Sequence, residues 1–200
     1  MYKIILASES PRRKEIMELM GISFTTIASQ VEEVITDKEP AKIVQALAAL
    51  KTEDVASRFK NNNENIIVIG ADTMVFYQDK ALGKPKDEQE ARKMLQMLSG
   101  NTHEVYTGVN IIIMKKNSLY KSISLAVCTK VVVANLSNDE IEDYIKTGEP
   151  MDKAGAYGIQ GRFGIYIKEI IGDYYNVVGL PIANIYETLL KEGINIRKNK

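Results

Sequence analysis

The 200-residue chain has one cysteine, Cys128, and one histidine, His103. A single cysteine excludes an internal disulfide, and no cysteine–histidine spacing offers a structural zinc site. Cys128 lies in an apolar, strand-like run and is expected to pack as a small apolar residue. His103 gives no ground for a Ser-His-Asp triad and is expected to be structural. No apolar run approaches membrane-spanning length, and no basic segment at the N-terminus leads into one. No membrane partner is therefore expected, and the cytoplasm is the default location. An excess of either charge is also absent, since 26 Lys+Arg balance 26 Asp+Glu. That argues against a broad basic field for nucleic acid, although a local anion site is compatible with a pooled charge of zero.

What is present is an ordinary globular composition, 45% hydrophobic and 26% charged. The length is enough to bury a core in one large domain or two small lobes. No linker, internal repeat or low-complexity segment divides the chain, so residues 1–200 are read as one domain. Residues 2–7 read as a strand, followed by a helix with Ser10 as N-cap and Pro11 at its first position, stopped at Gly21. A short strand is expected at 24–28 and a helix from Pro40, with Ile43, Val44, Leu47, Leu50 and Val55 on one face. The apolar run 66–70 predicts a central strand that continues to Tyr77 and turns at Gln78-Asp79-Lys80. A helix is expected at 87–98, then strands at 105–114 and 119–134 joined at Lys116-Asn117-Ser118, then a helix from Ser137 to Lys146. Five of the 13 glycines fall within residues 147–164, which marks a shaped loop. Strands near 165–170 and 174–178 and a helix from Pro181 finish the chain, and the basic tail at 197–200 is expected to fray. The long adjacent strands at 105–134 imply antiparallel pairing, so the fold is read as α/β with a mixed rather than purely parallel sheet.

Chemistry concentrates in four places. Leu6-Ala7-Ser8-Glu9-Ser10-Pro11-Arg12-Arg13 puts two hydroxyls, a helix start and two guanidinium groups where a strand becomes a helix. All of these suit phosphate oxygens, without the pattern of a Walker loop. The plainer alternative is a capping Ser10 with two solvated arginines, but cations at a helix N-terminus oppose the macrodipole by roughly 0.3–1 kcal/mol each. They need a bound anion or acidic neighbours. Asp72, in Gly70-Ala71-Asp72-Thr73, interrupts an apolar strand. It reads either as a strand-end carboxylate bonding local backbone or as a metal ligand or general base at a cleft edge. Glu32-Glu33 is a loop pair, and Lys84 sits between Gly83 and Pro85 as a cation on a fixed backbone. Lys51 stands on the second helix beside its apolar face. Gly158-Ile159-Gln160-Gly161 offers an amide that both donates and accepts, among glycines that let a ligand approach the backbone. It is either that or a structural loop packed around Tyr157, and it is not a dinucleotide fingerprint.

In their order and spacing these segments, with Leu98-Ser99-Gly100, Asp152 to Gly161 and Val178-Gly179-Leu180-Pro181, resemble the Maf family of nucleoside triphosphate pyrophosphatases. The resemblance covers nearly the whole chain. It implies a two-lobed, Maf/ITPase-like α/β fold around a mixed, twisted sheet with a central nucleotide cleft. The implied reaction is hydrolysis between the α- and β-phosphates with a divalent metal, Mg or Mn. The implied assembly is a homodimer, and the substrate is a nucleoside triphosphate. Carried onto this sequence, the family's proton acceptor falls on Asp72, and its base-selecting positions fall on Arg12, Thr73 and Gln160. Glu33 and Asp72 are the implied metal ligands; Ser8, Ser10, Arg13, Lys51 and Lys84 are the implied phosphate contacts. A branch resembling 7-methyl-GTP pyrophosphatases carries tryptophan in place of Arg12, glutamine in place of Thr73, and no Gly-Ile-Gln-Gly segment. The present residues resemble the dTTP/UTP branch at all three. Other or modified nucleotides, or a non-catalytic interaction role in septum inhibition, are the alternatives that the resemblance leaves.

Overall fold

A computed structural model describes residues 1–198 other than Thr36, Asn61 and Asn117. Seven strands form one mixed sheet in the order Thr25–Thr26, Lys3–Leu6, Ile66–Tyr77, Thr102–Lys115, Ser118–Val133 and Ile167–Ile171, with Lys80–Leu82 paired to Ile66–Tyr77. The architecture is the expected α/β one. The chain divides into two compact units, Met1–Thr73 with Thr107–Val127 and Gly179–Lys200, and Met74–Tyr106 with Cys128–Val178.

In the first unit, β1 (Lys3–Leu6) pairs in parallel with both β2 (Thr25–Thr26) and β3 (Ile66–Tyr77). The crossovers are α1 (Pro11–Leu19) and α2 (Pro40–Ser57), each with proline in the first turn, where its missing N–H costs nothing. Helix α1 closes at Gly21, with Gly21 N–H on the Glu18 carbonyl and Ile22 N–H on that of Met17. Ile66 to Ile69 are fully buried, as a strand covered on both faces requires. Ile66 and Val68 share a core with Ile5, Val55, Ala56 and Ile112. The last helix, α6 (Ile182–Lys191), follows Pro181.

The second unit begins inside β3. A two-residue turn with left-handed Gln78 and Asp79 leads into β4 (Lys80–Leu82), antiparallel to β3. Helix α3 (Glu88–Leu98) is capped by the Asp87 carboxylate, and α4 (Asn138–Ile145) by a reciprocal Ser137–Glu140 box. Ala91, Met94, Leu95, Leu98, Ile141, Tyr144 and Ile145 from the two helices share a core with Tyr157 and Phe163. Strands β5 (Thr102–Lys115) and β6 (Ser118–Val133) run on either side of a connection whose Asn117 lies outside the described residues. Two strands joined so tightly run antiparallel. The glycine-rich stretch folds as three short 3-10 turns, Glu149–Asp152, Ala154–Ala156 and Arg162–Tyr166, before β7 (Ile167–Ile171) pairs antiparallel to β6.

Two expectations are corrected. Residues 174–178 are not a strand but a short helix, α5 (Tyr174–Val178). The Asp173 carboxylate accepts the Tyr175 N–H at 2.8 Å and so starts a helical turn. Asn176 then buries its amide on the Val105 carbonyl and the Thr129 hydroxyl, each at 3.0 Å. Cys128 is exposed rather than packed. At this end of β6 Thr129, Val131 and Val133 point inward, and the period of two turns Cys128 and Lys130 outward. No helix among the described residues is long and apolar enough to cross a membrane.

Candidate active site

The strand-to-helix corner carries Ser8 from the end of β1 and Arg12 and Arg13 from the first turn of α1. The Arg13 guanidinium is a junction. Nε donates to the Gly179 carbonyl at 2.7 Å, Nη1 to Ser8 Oγ at 3.1 Å and Nη2 to Thr73 Oγ1 at 3.1 Å. Thr73 Oγ1 in turn lies 2.9 Å from the hydroxyl of Thr107, which is fully buried on β5. One side chain thus ties α1, β1, β3 and the turn before α6. Burial lowers the Arg13 pKa; the charge of Asp72 opposes this and that of Arg12 adds to it. All three partners are neutral, and among the described residues neither arginine pairs with a carboxylate. A half-buried cation satisfied by neutral groups alone is electrostatically open to an anion. Ser10 occupies the N-cap position but does not cap with its hydroxyl. Its own N–H instead donates to Ser8 Oγ at 3.2 Å.

Asp72, one residue before Thr73, is 8% exposed and accepts from Lys51 Nζ through Oδ1 at 2.6 Å. The same ammonium lies 2.7 Å from Glu33 Oε1. Lys51 reaches Asp72 because α2 lies unusually close to the sheet. A Cβ on Gly70 of β3 would collide with the Thr52 hydroxyl, and one on Gly108 of β5 would collide with the Val44 carbonyl. Two glycines therefore let the helix backbone settle onto the strands. The hydroxyl of Thr52, the neighbour of Lys51, lies within the contact, 2.6 Å from the Ala48 carbonyl of its own helix and 3.3 Å from the Asn110 carbonyl of β5. The strand-end alternative for Asp72 does not hold, because its partner is a side chain 21 residues away rather than local backbone.

Among the described residues no three or more His, Cys, Asp or Glu side chains converge as a metal cage. The available donors are the two carboxylates that already share one cation. A pair of hard oxygens fits a Mg- or Mn-like ion, which fills its remaining positions with phosphate oxygens and water.

Lys84 and Gln160 belong to the second unit, and both are exposed. Their segments are joined, since Gly155 N–H donates to the Gly83 carbonyl at 3.0 Å. Gln160 stands between two pinned points. Gly158 N–H donates to the Tyr144 hydroxyl at 3.2 Å, and Arg162 N–H to Glu149 Oε2 at 3.0 Å. His103 is buried with Nε2 2.7 Å from the Tyr157 hydroxyl, which is the expected structural role.

Sequence reasoning assigned no role to Thr107, Glu149 or the Gly179 carbonyl. Gly179 lay within a segment already singled out, and Glu149 within the glycine-rich loop. Thr107 carries no local signal, because a threonine in a strand is ordinary and only the register of β5 against β3 places it under Thr73.

A family model described as Maf-like protein matches residues 3–192. The dTTP/UTP pyrophosphatase of Lachnoclostridium phytofermentans is 49% identical over 99% of this chain and 99% of its own length. That of Agathobacter rectalis is 49% identical over 98% and 100%, and that of Alkaliphilus metalliredigens 52% over 96% and 96%.

Proposed function

The chain belongs to the Maf family, and on that premise we propose that it hydrolyses dTTP and UTP to the nucleoside monophosphate and pyrophosphate. The single observation that carries this reading is the junction at Thr73 and Asp72. An anion-seeking Arg13 and a carboxylate–lysine–carboxylate cluster are held on adjacent residues of one strand. Phosphate binding and water activation need that proximity.

In the reaction a water oxygen forms a bond to the α-phosphorus, and the bond from that phosphorus to the α–β bridging oxygen breaks. Asp72 accepts the water proton, with Lys51 fixing its Oδ1 so that the carboxylate keeps one orientation. The N–H groups that Arg13 leaves unused, with Ser8, Ser10, Lys51 and Lys84, hold phosphate oxygens and steady the departing pyrophosphate. Arg12, Thr73 and Gln160 face the pyrimidine or its sugar. Glu33 and Asp72 would hold a divalent metal, which when bound supplies charge to screen the triphosphate. The cytoplasm as the site of action and a homodimer as the assembly follow the family resemblance.

The test is Asp72→Asn, which removes the proton acceptor and keeps its shape. Turnover should fall by about three orders of magnitude or more, while nucleotide binding measured by calorimetry survives. An Asp72→Asn protein that turns over dTTP at the native rate would remove Asp72 from the role of base.

A further inference from the structure

The glycine at position 161 has an ordinary backbone, φ −105° and ψ −160°, so its conformation does not call for glycine. Space does. A Cβ at this position would fall inside the contact radius of both carboxylate oxygens of Glu149. That carboxylate is fully engaged from two sides. Oε1 accepts the Tyr144 hydroxyl at 2.9 Å, and Oε2 accepts the Arg162 N–H at 3.0 Å. The Tyr144 hydroxyl passes the connection on by accepting the Gly158 N–H at 3.2 Å. Burial, and the bond to Glu149, push the Tyr144 pKa up, so it remains the neutral donor this chain requires. Gly161 N–H closes a tight turn on the Gly158 carbonyl at 3.1 Å. Residues 158 and 162 are therefore both referred to one carboxylate, and Gln160 sits at the middle of the span they bracket.

We propose that Glu149 is the positioning residue for Gln160, holding the Gly158–Arg162 turn against its carboxylate so that the Gln160 amide meets a pyrimidine edge in one orientation. The proposal rests on the reading of Gln160 as a base-facing position. Glu149 is 11 residues from Gln160 in sequence and has no part in the proton transfer assigned to Asp72. Its effect falls on which base is accepted. Its two partners, the Tyr144 hydroxyl and the Arg162 backbone N–H, are both donors, so an amide in its place satisfies one and opposes the other. The glycine and the glutamate are one device, because the missing side chain at 161 is the volume the carboxylate fills.

The experiment compares native protein with Glu149→Gln, Gln160→Ala and the double variant. It measures kcat and KM for dTTP, UTP and CTP, and amide hydrogen exchange over residues 158–162. Tyr144→Phe is a second route, removing both bonds of the hydroxyl while keeping the ring beside Phe163, at 5.1 Å between centroids. Glu149→Gln should raise KM for dTTP and UTP roughly fivefold to tenfold with kcat near native, compress the preference over CTP, and speed exchange in the turn. The double variant should be no less selective than Gln160→Ala alone. Native exchange rates in both Glu149→Gln and Tyr144→Phe, or losses of selectivity that add in the double variant, would overturn the proposal. Native base preference in Gln160→Ala together with faster exchange in Glu149→Gln overturns the reading of Gln160 instead, and supports the pinning of the turn by Glu149.

Discussion

His103 should make the protein sensitive to mild acid by a calculable amount. It is 1% exposed, and burial pushes its pKa down from 6.5 to about 4. The cause is visible in its surroundings. Nε2 meets the Tyr157 hydroxyl, and Nδ1 is buried without a partner among the described residues. The neutral ring can leave Nδ1 as a bare lone pair. The imidazolium would bury an unsatisfied N–H and a charge. The folded pKa lies below the unfolded one, so between these values the unfolded chain binds more protons, and stability falls as the pH falls. The contribution is intact above pH ~6.5 and is lost progressively towards pH ~4. At about 1.4 kcal/mol per pH unit, going from pH 7 to pH 4.5 should cost roughly 2–3 kcal/mol through this group alone. Carboxylates also titrate at the lower end, so the assay is a double difference. Urea unfolding is measured at both pH values for native protein and for His103→Gln, and the two pH effects are subtracted. Because the chain has one histidine, its imidazole NMR resonance reports the folded pKa directly. Equal pH effects in the two proteins, or an NMR pKa near 6.5, would refute the reasoning.

Other consequences follow from the packing around the site. Thr107→Val removes the buried 2.9 Å partner of Thr73 and loosens the Arg13 junction. It should raise KM for dTTP and UTP in the same proportion, about fivefold for a loss of about 1 kcal/mol, and unchanged steady-state KM values would count against it. Gly70→Ala drives a methyl group into the Thr52 hydroxyl and to 3.0 Å from the Ala48 carbonyl. It should lower unfolding stability by about 1–3 kcal/mol and lower kcat as α2 moves Lys51 away from Asp72. Thr52→Ala in the same chain should restore part of both, and a Gly70→Ala protein with native midpoint and kcat would contradict the close-approach argument.

The parts legible from sequence were those set by local chemistry. The apolar run at 66–69 reads as a central strand, Pro11 and Pro40 read as helix starts, and Ser137 reads as the cap of the helix that follows it. Residues 174–178 were misjudged because Tyr-Tyr-Asn-Val-Val has strand-like composition. The Asp173 carboxylate starts the turn by accepting the Tyr175 N–H, and the buried amide of Asn176 holds it as a helix through its tertiary partners Val105 and Thr129. Cys128 was misjudged because an apolar run shows its inward and outward faces only once register is known. At the site, Asp72 and Lys51 could each be singled out, but not their 2.6 Å contact. That contact depends on the space that Gly70 and Gly108 leave for α2, a requirement without sequence periodicity. Glu149 was hidden for a similar reason, since its partner at Gly161 is the absence of a side chain.

The proposed cleavage between the α- and β-phosphates, by water attacking the α-phosphorus, leaves an isotopic signature in the products. It is tested most directly by incubating native protein with dTTP and a divalent metal in oxygen-18 water and weighing the products. Pyrophosphate should be the inorganic product, and the thymidine monophosphate should carry one labelled oxygen. Label in the pyrophosphate, or release of orthophosphate with thymidine diphosphate, would contradict it.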